Sequence, residues 1–212
     1  MILIIDFGSQ YNQLIARRVR EHFVYCEIEP PTISLAAIRA LKPEGIILSG
    51  GPASIYAKGS PRVDRGIFGL GIPVLGICYG MQYLVDSLGG KVIGSKKREY
   101  GFAELHIKKP AGLFAGVDKK TICWMSHGDS IGELPEGFEV TASTANTPVA
   151  AAQDETRRFY GLQFHPEVVH TADGRKILAN FLFKICRCKK TWSMKSFAEH
   201  AIEDIQIGRA HV

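Results

Sequence analysis

The chain has 212 residues, 46% hydrophobic and 22% charged, with a net charge of +5. That length supports one sizeable core, or one core plus an extension, and no stretch approaches the ~20 consecutive apolar residues of a membrane span, so no membrane partner is expected. The positive excess sits late: residues 1–169 hold 18 Lys+Arg against 17 Asp+Glu, and residues 170–212 hold 8 against 4. With no basic surface interleaved with aromatics, no nucleic-acid partner is expected either.

The start, Met-Ile-Leu-Ile-Ile-Asp, has neither the basic region nor the cleavage site of a signal peptide, so a cytoplasmic location is expected. Residues 1–5 read as a buried strand and 10–23 as an amphipathic helix. Between them, Asp6-Phe-Gly-Ser would suit a kinase only with a Gly-rich loop, a strand lysine and a catalytic loop, all missing, so it reads as a strand end and turn. A strand over 24–28 and a helix over 34–41 with Ser34 as N-cap follow. A third strand, 45–48, empties into Ser49-Gly-Gly-Pro52. This glycine pair fits either a plain turn or a backbone that must approach a ligand closely. It lacks the Lys-Ser/Thr ending of a Walker A loop.

After a short helix over 62–69 comes Pro73-Val-Leu-Gly-Ile-Cys-Tyr-Gly-Met-Gln82. Val74, Leu75 and Ile77 make a strand, and Met81, Leu84, Val85 and Leu88 fall at helical spacing. Cys78 sits at the junction with Gly76 and Gly80 on either side. Gly-x-Cys-x-Gly is the cysteine form of a nucleophile elbow, in which small neighbours permit a sharp strand-to-helix turn. The helix N-terminus beneath favours the thiolate, and the N–H of Tyr79 faces a developing oxyanion. The competing reading is a buried structural cysteine.

Beyond Gly90 the texture changes to short candidate strands (91–93, 103–107, 121–124, 139–143 and 149–153) with polar loops at 98–101 and 126–129. A strand over 159–165 then runs into His165-Pro-Glu167. In an extended segment residues two apart share a face, so Glu167 can orient His165 as base for the thiol. His127 is a rival base. An amphipathic helix over 174–184 closes the domain, and another is expected over 193–205. Strands alternating with helices imply an α/β fold: a mostly parallel twisted sheet flanked by helices, with additional antiparallel edge strands. Its ligands belong at the carboxyl ends of the strands, where Asp6, residues 49–52 and Cys78 fall. Of the five cysteines, an odd number, none suggests a disulfide framework, and Cys186-Arg-Cys188 has no second Cys or His pair, so no metal site is expected.

Gly76-Ile-Cys-Tyr-Gly-Met-Gln82 with His165-Pro-Glu167 resembles the class I, or triad, glutamine amidotransferases, whose fold is flavodoxin-like. Asp6-Phe-Gly-Ser-Gln-Tyr11, Ala16-Arg-Arg-Val-Arg20 and Trp124-Met-Ser-His-Gly-Asp129 make it similar to the glutaminase domains of GMP synthetases. The resemblance implies a catalytic triad of Cys78, His165 and Glu167, oxyanion donors at Gly51 and Tyr79, and glutamine contacts at Gln82, Ser126, His127, Gly128 and Asp129. It implies no cofactor for the glutaminase half. ATP and magnesium would act in an ATP pyrophosphatase (synthetase) domain that aminates XMP to GMP, and a homodimer would form through that domain. Residues 1–190 are then the glutaminase domain and 191–206 a linker helix. The last six residues, 207–212, match no family pattern, and one reverse translation resembles a sequencing adapter, so they are expected to be an artefactual tail. The rival expectations are the glutaminase part of another amidotransferase, such as one for anthranilate or carbamoyl phosphate, and a non-catalytic interaction domain.

Overall fold

The computed structural model describes residues 1–193, without the side chains of 95–98. The expected linker helix beyond Ser193 and the 207–212 tail lie outside the described residues. Nine strands form one sheet in the order β2-β1-β3-β4-β9-β8-β7-β5-β6. The first half alternates: β1 (Ile2–Ile5), α1 (Asn12–Glu21), β2 (Cys26–Glu29), α2 (Leu35–Leu41), β3 (Gly45–Leu48), β4 (Val74–Ile77) and α3 (Tyr79–Ser87). The second half is β5 (Lys91–Ile107), β6 (Lys120–Glu133), β7 (Glu139–Ser143), β8 (Ala151–Asp154), β9 (Phe159–Leu162) and α4 (Gly174–Ala179), which runs on as a π-helical segment over Asn180–Ile185. Strands β2, β1, β3, β4 and β9 are parallel, and β8, β7, β5 and β6 add antiparallel to one side.

The central strands are apolar at every position because both sheet faces are covered. Ile2 and Ile4 of β1 pack with Ile15 and Val19 of α1 and with Ile177 and Phe181 from the closing helix. Leu3 and Ile5 point the other way, into a core with Ile38 of α2 and with Tyr79, Tyr83 and Leu84 of α3. Ser34 caps α2 as expected, its Oγ accepting from the Ala37 N–H at 3.1 Å.

Three expectations change. The helix over 62–69 is a 3-10 turn, Arg65–Gly69, begun by the Asp64 side chain accepting from the Gly66 N–H. The strands at 91–93 and 103–107 are one strand, and the strand at 121–124 extends to Glu133. The polar segments 98–101 and 126–129 are therefore paired strand rather than loop, with Glu99 opposite His127 and Tyr100 opposite Ser126. Polar residues hid the ladder, because Tyr100 and Ser126 to Asp129 border a cavity instead of a core. Finally, β9 ends at Leu162. The chain then swings across to β6, where the His165 N–H donates to the Trp124 carbonyl at 3.1 Å.

The β4–α3 junction depends on absent side chains. A Cβ on Gly76 would lie 2.6 Å from the Gly80 carbonyl and the Met81 nitrogen, and one on Gly80 would run into the Leu48 backbone. We expect Gly80→Ala to lower stability by about 2–3 kcal/mol through overpacking, read as a fall in denaturation midpoint with the slope unchanged. Gly69→Ala, which meets nothing within 4 Å, should leave the midpoint close to that of the native chain.

Candidate active site

The sheet order 2-1-3-4 reverses at β1, and ligands of such sheets bind beyond the strand ends at the reversal. The loops after β1 and β3 open there onto a cavity of about 480 Å³. Gly51 and Pro52 form one wall, and Ser9 and Tyr11 stand beside them. Cys78, Gln82 and His165 also line it, and Ser126 to Asp129 of β6 form a further wall. Every residue expected to contact glutamine is thus brought to one cavity.

Cys78 has φ 51° and ψ −107°, a left-handed conformation unusual for a side chain with a Cβ. Its N–H donates to the Leu162 carbonyl at 2.7 Å, which fixes the bend against β9. As N-cap of α3 it lies where the helix's first N–H groups have no intrahelical partner. The Tyr79 side chain is held elsewhere, its hydroxyl donating to the Pro61 carbonyl at 2.6 Å, so Tyr79 offers the sulfur only its main chain. Gly51 sits close to Phe7, where a Cβ would lie 2.7 Å from the Phe7 carbonyl.

His165 lines the same cavity as Cys78, and its Nδ1 is 2.7 Å from Glu167 Oε1. Both ring and carboxylate are buried. The expected shared strand face is not what joins them, since β9 has already ended and Pro166-Glu167 lie in a turn. The turn achieves the same meeting. Gly174 is required beneath it, because a Cβ there would strike the Pro166 backbone. Burial by itself would push the His165 pKa down. The Glu167 carboxylate and the Cys78 sulfur outweigh burial and hold it well above the ordinary histidine value.

His127 differs. Burial pushes its pKa below the ordinary value, more than Glu99 lifts it. Its Nδ1 is 2.9 Å from the Asp129 carbonyl. A carboxylate does accompany it, from another strand: Glu99 Oε2 lies 4.0 Å from Nε2. The Asp129 carbonyl also accepts from Gln82 Nε2 at 3.1 Å, and the same amide donates to Gln163 Oε1 at 3.3 Å.

Sequence reasoning missed four neighbours. The Tyr11 ring meets His165 edge-on, centroids 5.3 Å apart. Ser9 lines the cavity, Glu99 backs His127, and the Arg18 Nε donates to the Glu167 carbonyl at 2.9 Å. Tyr11 and Arg18 lie inside stretches already singled out, but nothing in their spacing revealed these contacts. Asp6 is not in this cavity. Its carboxylate accepts from the Gly8 N–H and the Asn12 amide and so shapes the loop.

The family profile for "Glutamine amidotransferase class-I" matches residues 3–185. The chain belongs to the class I glutamine amidotransferases. It is 54% identical over 205 residues to a GMP synthase [glutamine-hydrolyzing] of Brachyspira hyodysenteriae and 55% identical over 205 residues to that of Heliobacterium modesticaldum. Each alignment covers 97% of this chain and 40% of the relative, so the chain spans about two-fifths of the curated relatives it matches. Among solved structures, a chain described as a GMP synthase subunit from Thermoplasma acidophilum superposes with a TM-score of 0.81 at 34% identity, covering 88% of this chain and 93% of that one. A glutamine amidotransferase from Thermotoga maritima shares the fold, with a TM-score of 0.64 at 22% identity, covering 86% of this chain and 81% of that one.

Because the folded pKa of His165 exceeds the ordinary value, its couple with Glu167 stabilises this amidotransferase fold fully below about pH 6.5. That contribution is lost as pH rises through the folded value. Glu167→Gln removes the larger lifting charge and leaves burial to push the ring down. The stability gap between native chain and variant should be wider at pH 6 than at pH 9 in parallel denaturation curves, and the His165 ring resonances should titrate lower in the variant.

Proposed function

We propose that this chain hydrolyses glutamine to glutamate and ammonia through a thioester on Cys78. The observation that carries the proposal is the junction itself: a sulfur at φ 51° on a helix N-terminus, sharing one cavity with a histidine whose Nδ1 meets a carboxylate.

The Cys78 thiolate attacks the side-chain carbonyl carbon of glutamine, and the carbonyl π electrons move to oxygen. That oxyanion lies between the N–H groups of Gly51 and Tyr79, each such donor being worth about 3–4 kcal/mol. As the C–N bond breaks, the His165 imidazolium gives its proton to the departing nitrogen, which leaves as ammonia. Neutral His165 then takes a proton from water while the water oxygen attacks the thioester carbon. The C–S bond breaks, glutamate departs, and the thiolate–imidazolium pair is restored. Glu167 fixes the ring orientation and steadies the imidazolium.

The β6 wall holds the amino-acid end. The Asp129 carboxylate pairs with the α-ammonium, and Ser126, His127 and Gly128 supply the strand that lies along the substrate. With its amide nitrogen committed to Asp129 and Gln163, Gln82 presents its oxygen as acceptor. This chemistry calls for no metal or organic cofactor in the glutaminase half.

The glutamine-hydrolysing GMP synthases to which the chain is similar extend the proposal. The ammonia passes to a synthetase part, continuous with or separate from residues 1–190, that aminates XMP to GMP with ATP and magnesium. Residues 191–206 would lead toward it, and the pair would act in the cytoplasm. Assembly as a homodimer through the synthetase part rests on the sequence resemblance alone. Among the described residues, no helix is long and apolar enough to cross a membrane.

The 212-residue chain should release glutamate slowly from glutamine by itself, faster with a matching synthetase, and should make no GMP unaided. Cys78→Ala should abolish release, and Glu167→Gln should lower kcat about 10²- to 10⁴-fold, as for other orienting groups of such triads. A glutamine-analogue electrophile should add one mass label, at Cys78. A native chain that stays unlabelled and releases no glutamate even with its synthetase would instead be a binding module.

A further inference from the structure

A second buried histidine–carboxylate network stands behind the glutamine wall, and the proposed mechanism does not use it. Glu99 on β5 pairs across the ladder with His127 on β6. Glu99, Thr144, Thr147 and His127 are all buried. Both hydroxyls reach the carboxylate: Thr144 Oγ1 is 3.1 and 3.0 Å from its two oxygens, and Thr147 Oγ1 is 2.5 Å from Oε2. The Thr147 N–H also donates to Thr144 Oγ1 at 3.0 Å, so this turn holds both hydroxyls in place. On its far side Thr147 Oγ1 is 3.4 Å from His127 Nε2.

Counting protons fixes the ring. Two oxygens 2.5 Å apart need a hydrogen between them. Either the Thr147 hydroxyl donates to the Glu99 carboxylate, and an Nε2–H of a charged His127 donates to Thr147, or a protonated Glu99 donates to Thr147, whose hydroxyl donates to a bare Nε2. In both arrangements Nδ1 keeps its hydrogen, because its partner, the Asp129 carbonyl, only accepts. That carbonyl takes a second donor from Gln82. The peptide following Asp129 is thereby held from two sides, beside the residue assigned to the substrate ammonium. The titratable groups around the ring are Glu99 from β5, Asp129 from its own strand and His165 across the cavity.

We infer that Glu99, acting through Thr147, is a positioning residue for glutamine: it keeps a hydrogen on His127 Nδ1, whose bond to the Asp129 carbonyl sets the substrate-binding edge of β6. This rests on the glutaminase reading. Removing Glu99 releases Nε2 from the relay and admits the other tautomer, in which Nδ1 and the carbonyl oppose lone pair to lone pair. The loss falls on substrate binding, since no atom of the network touches the Cys78 sulfur or the Glu167 carboxylate.

Glu99→Ala should raise KM for glutamine about tenfold while kcat stays within about threefold. Thr147→Val should do the same, and the double variant should be no worse than either single one, because the two residues act in one chain of bonds. Glu99→Gln should restore KM to within about twofold, since the carboxamide can still donate to Thr147 and accept from Thr144. Two-bond ¹H–¹⁵N spectra should show a hydrogen on His127 Nδ1 in the native chain and in Glu99→Gln, with the tautomer that lacks it appearing in Glu99→Ala and Thr147→Val. An unchanged tautomer in both disrupting variants, equal falls in kcat and kcat/KM, or additive effects would overturn the inference. Should Glu99→Ala fail to fold, Thr147→Val decides alone. A native chain lacking glutaminase activity would count against the broader reading, while the ring tautomer would still test this one.

Discussion

The structure depends on one close approach, that of α3 to β3 beneath Cys78. A helix can begin directly at the end of a buried strand only if its first turn passes against the neighbouring backbone. Gly76 and Gly80 allow this and no larger residue does. The sharp bend puts Cys78 at positive φ, which for a residue with a Cβ costs on the order of 1–3 kcal/mol. Packing supplies the restraint. The first seven residues of α3, from Tyr79 to Val85, are buried, and the hydroxyls of Tyr79 and Tyr83 are tied to the Pro61 and Val63 carbonyls. The helix cannot relax without exposing that surface, so the sulfur is held up into the cavity.

The two halves of the sheet contribute different parts of the site. The parallel half supplies Cys78 and the glycine loop, because strand ends and helix starts are where main-chain N–H groups are free. The antiparallel ribbon supplies a long wall whose side chains repeat every two residues. Besides the β8–β9 ladder, three contacts at the cavity join the halves: His165 N–H to the Trp124 carbonyl, Gln82 to the Asp129 carbonyl, and the Cys78 sulfur 3.6 Å from the Ser126 carbonyl. Each of these three contacts ends on β6, so the register of β6 sets where its side chains lie relative to the sulfur.

How much of this was legible follows from the range of each signal. The elbow, the parallel strands and His165-Pro-Glu167 are local patterns, and their residues meet as read. Residues 126–129, singled out through resemblance, do line the cavity, yet their secondary structure was misread. Alternation of apolar and polar positions marks a strand only when one face meets a core, and here part of β5 and β6 faces a cavity. Glu99 was invisible for a related reason: its pairing with His127 comes from a ladder between strands 28 residues apart in number, and no spacing rule within one segment reports such a contact. Tyr11 and Arg18 approach His165 and Glu167 from α1 and the loop before it, again across the fold.

The two buried histidines show how placement of charge divides their work. Glu99 stands 4.0 Å from His127, takes two hydroxyls, and leaves burial as the stronger influence on that ring. Glu167 stands 2.7 Å from His165, and its other oxygen has no partner among the described residues. A cation is close by, but Arg18 is turned from the carboxylate: its Nε goes to the Glu167 carbonyl and its Nη1 to Glu21 at 2.9 Å. Had that guanidinium met the carboxylate directly, it would have screened the charge that lifts His165, and burial would have left the ring neutral. Spending Arg18 on the main chain braces the turn while leaving the negative charge to the imidazolium. The His165 ring thus keeps its negative partner close within a buried site.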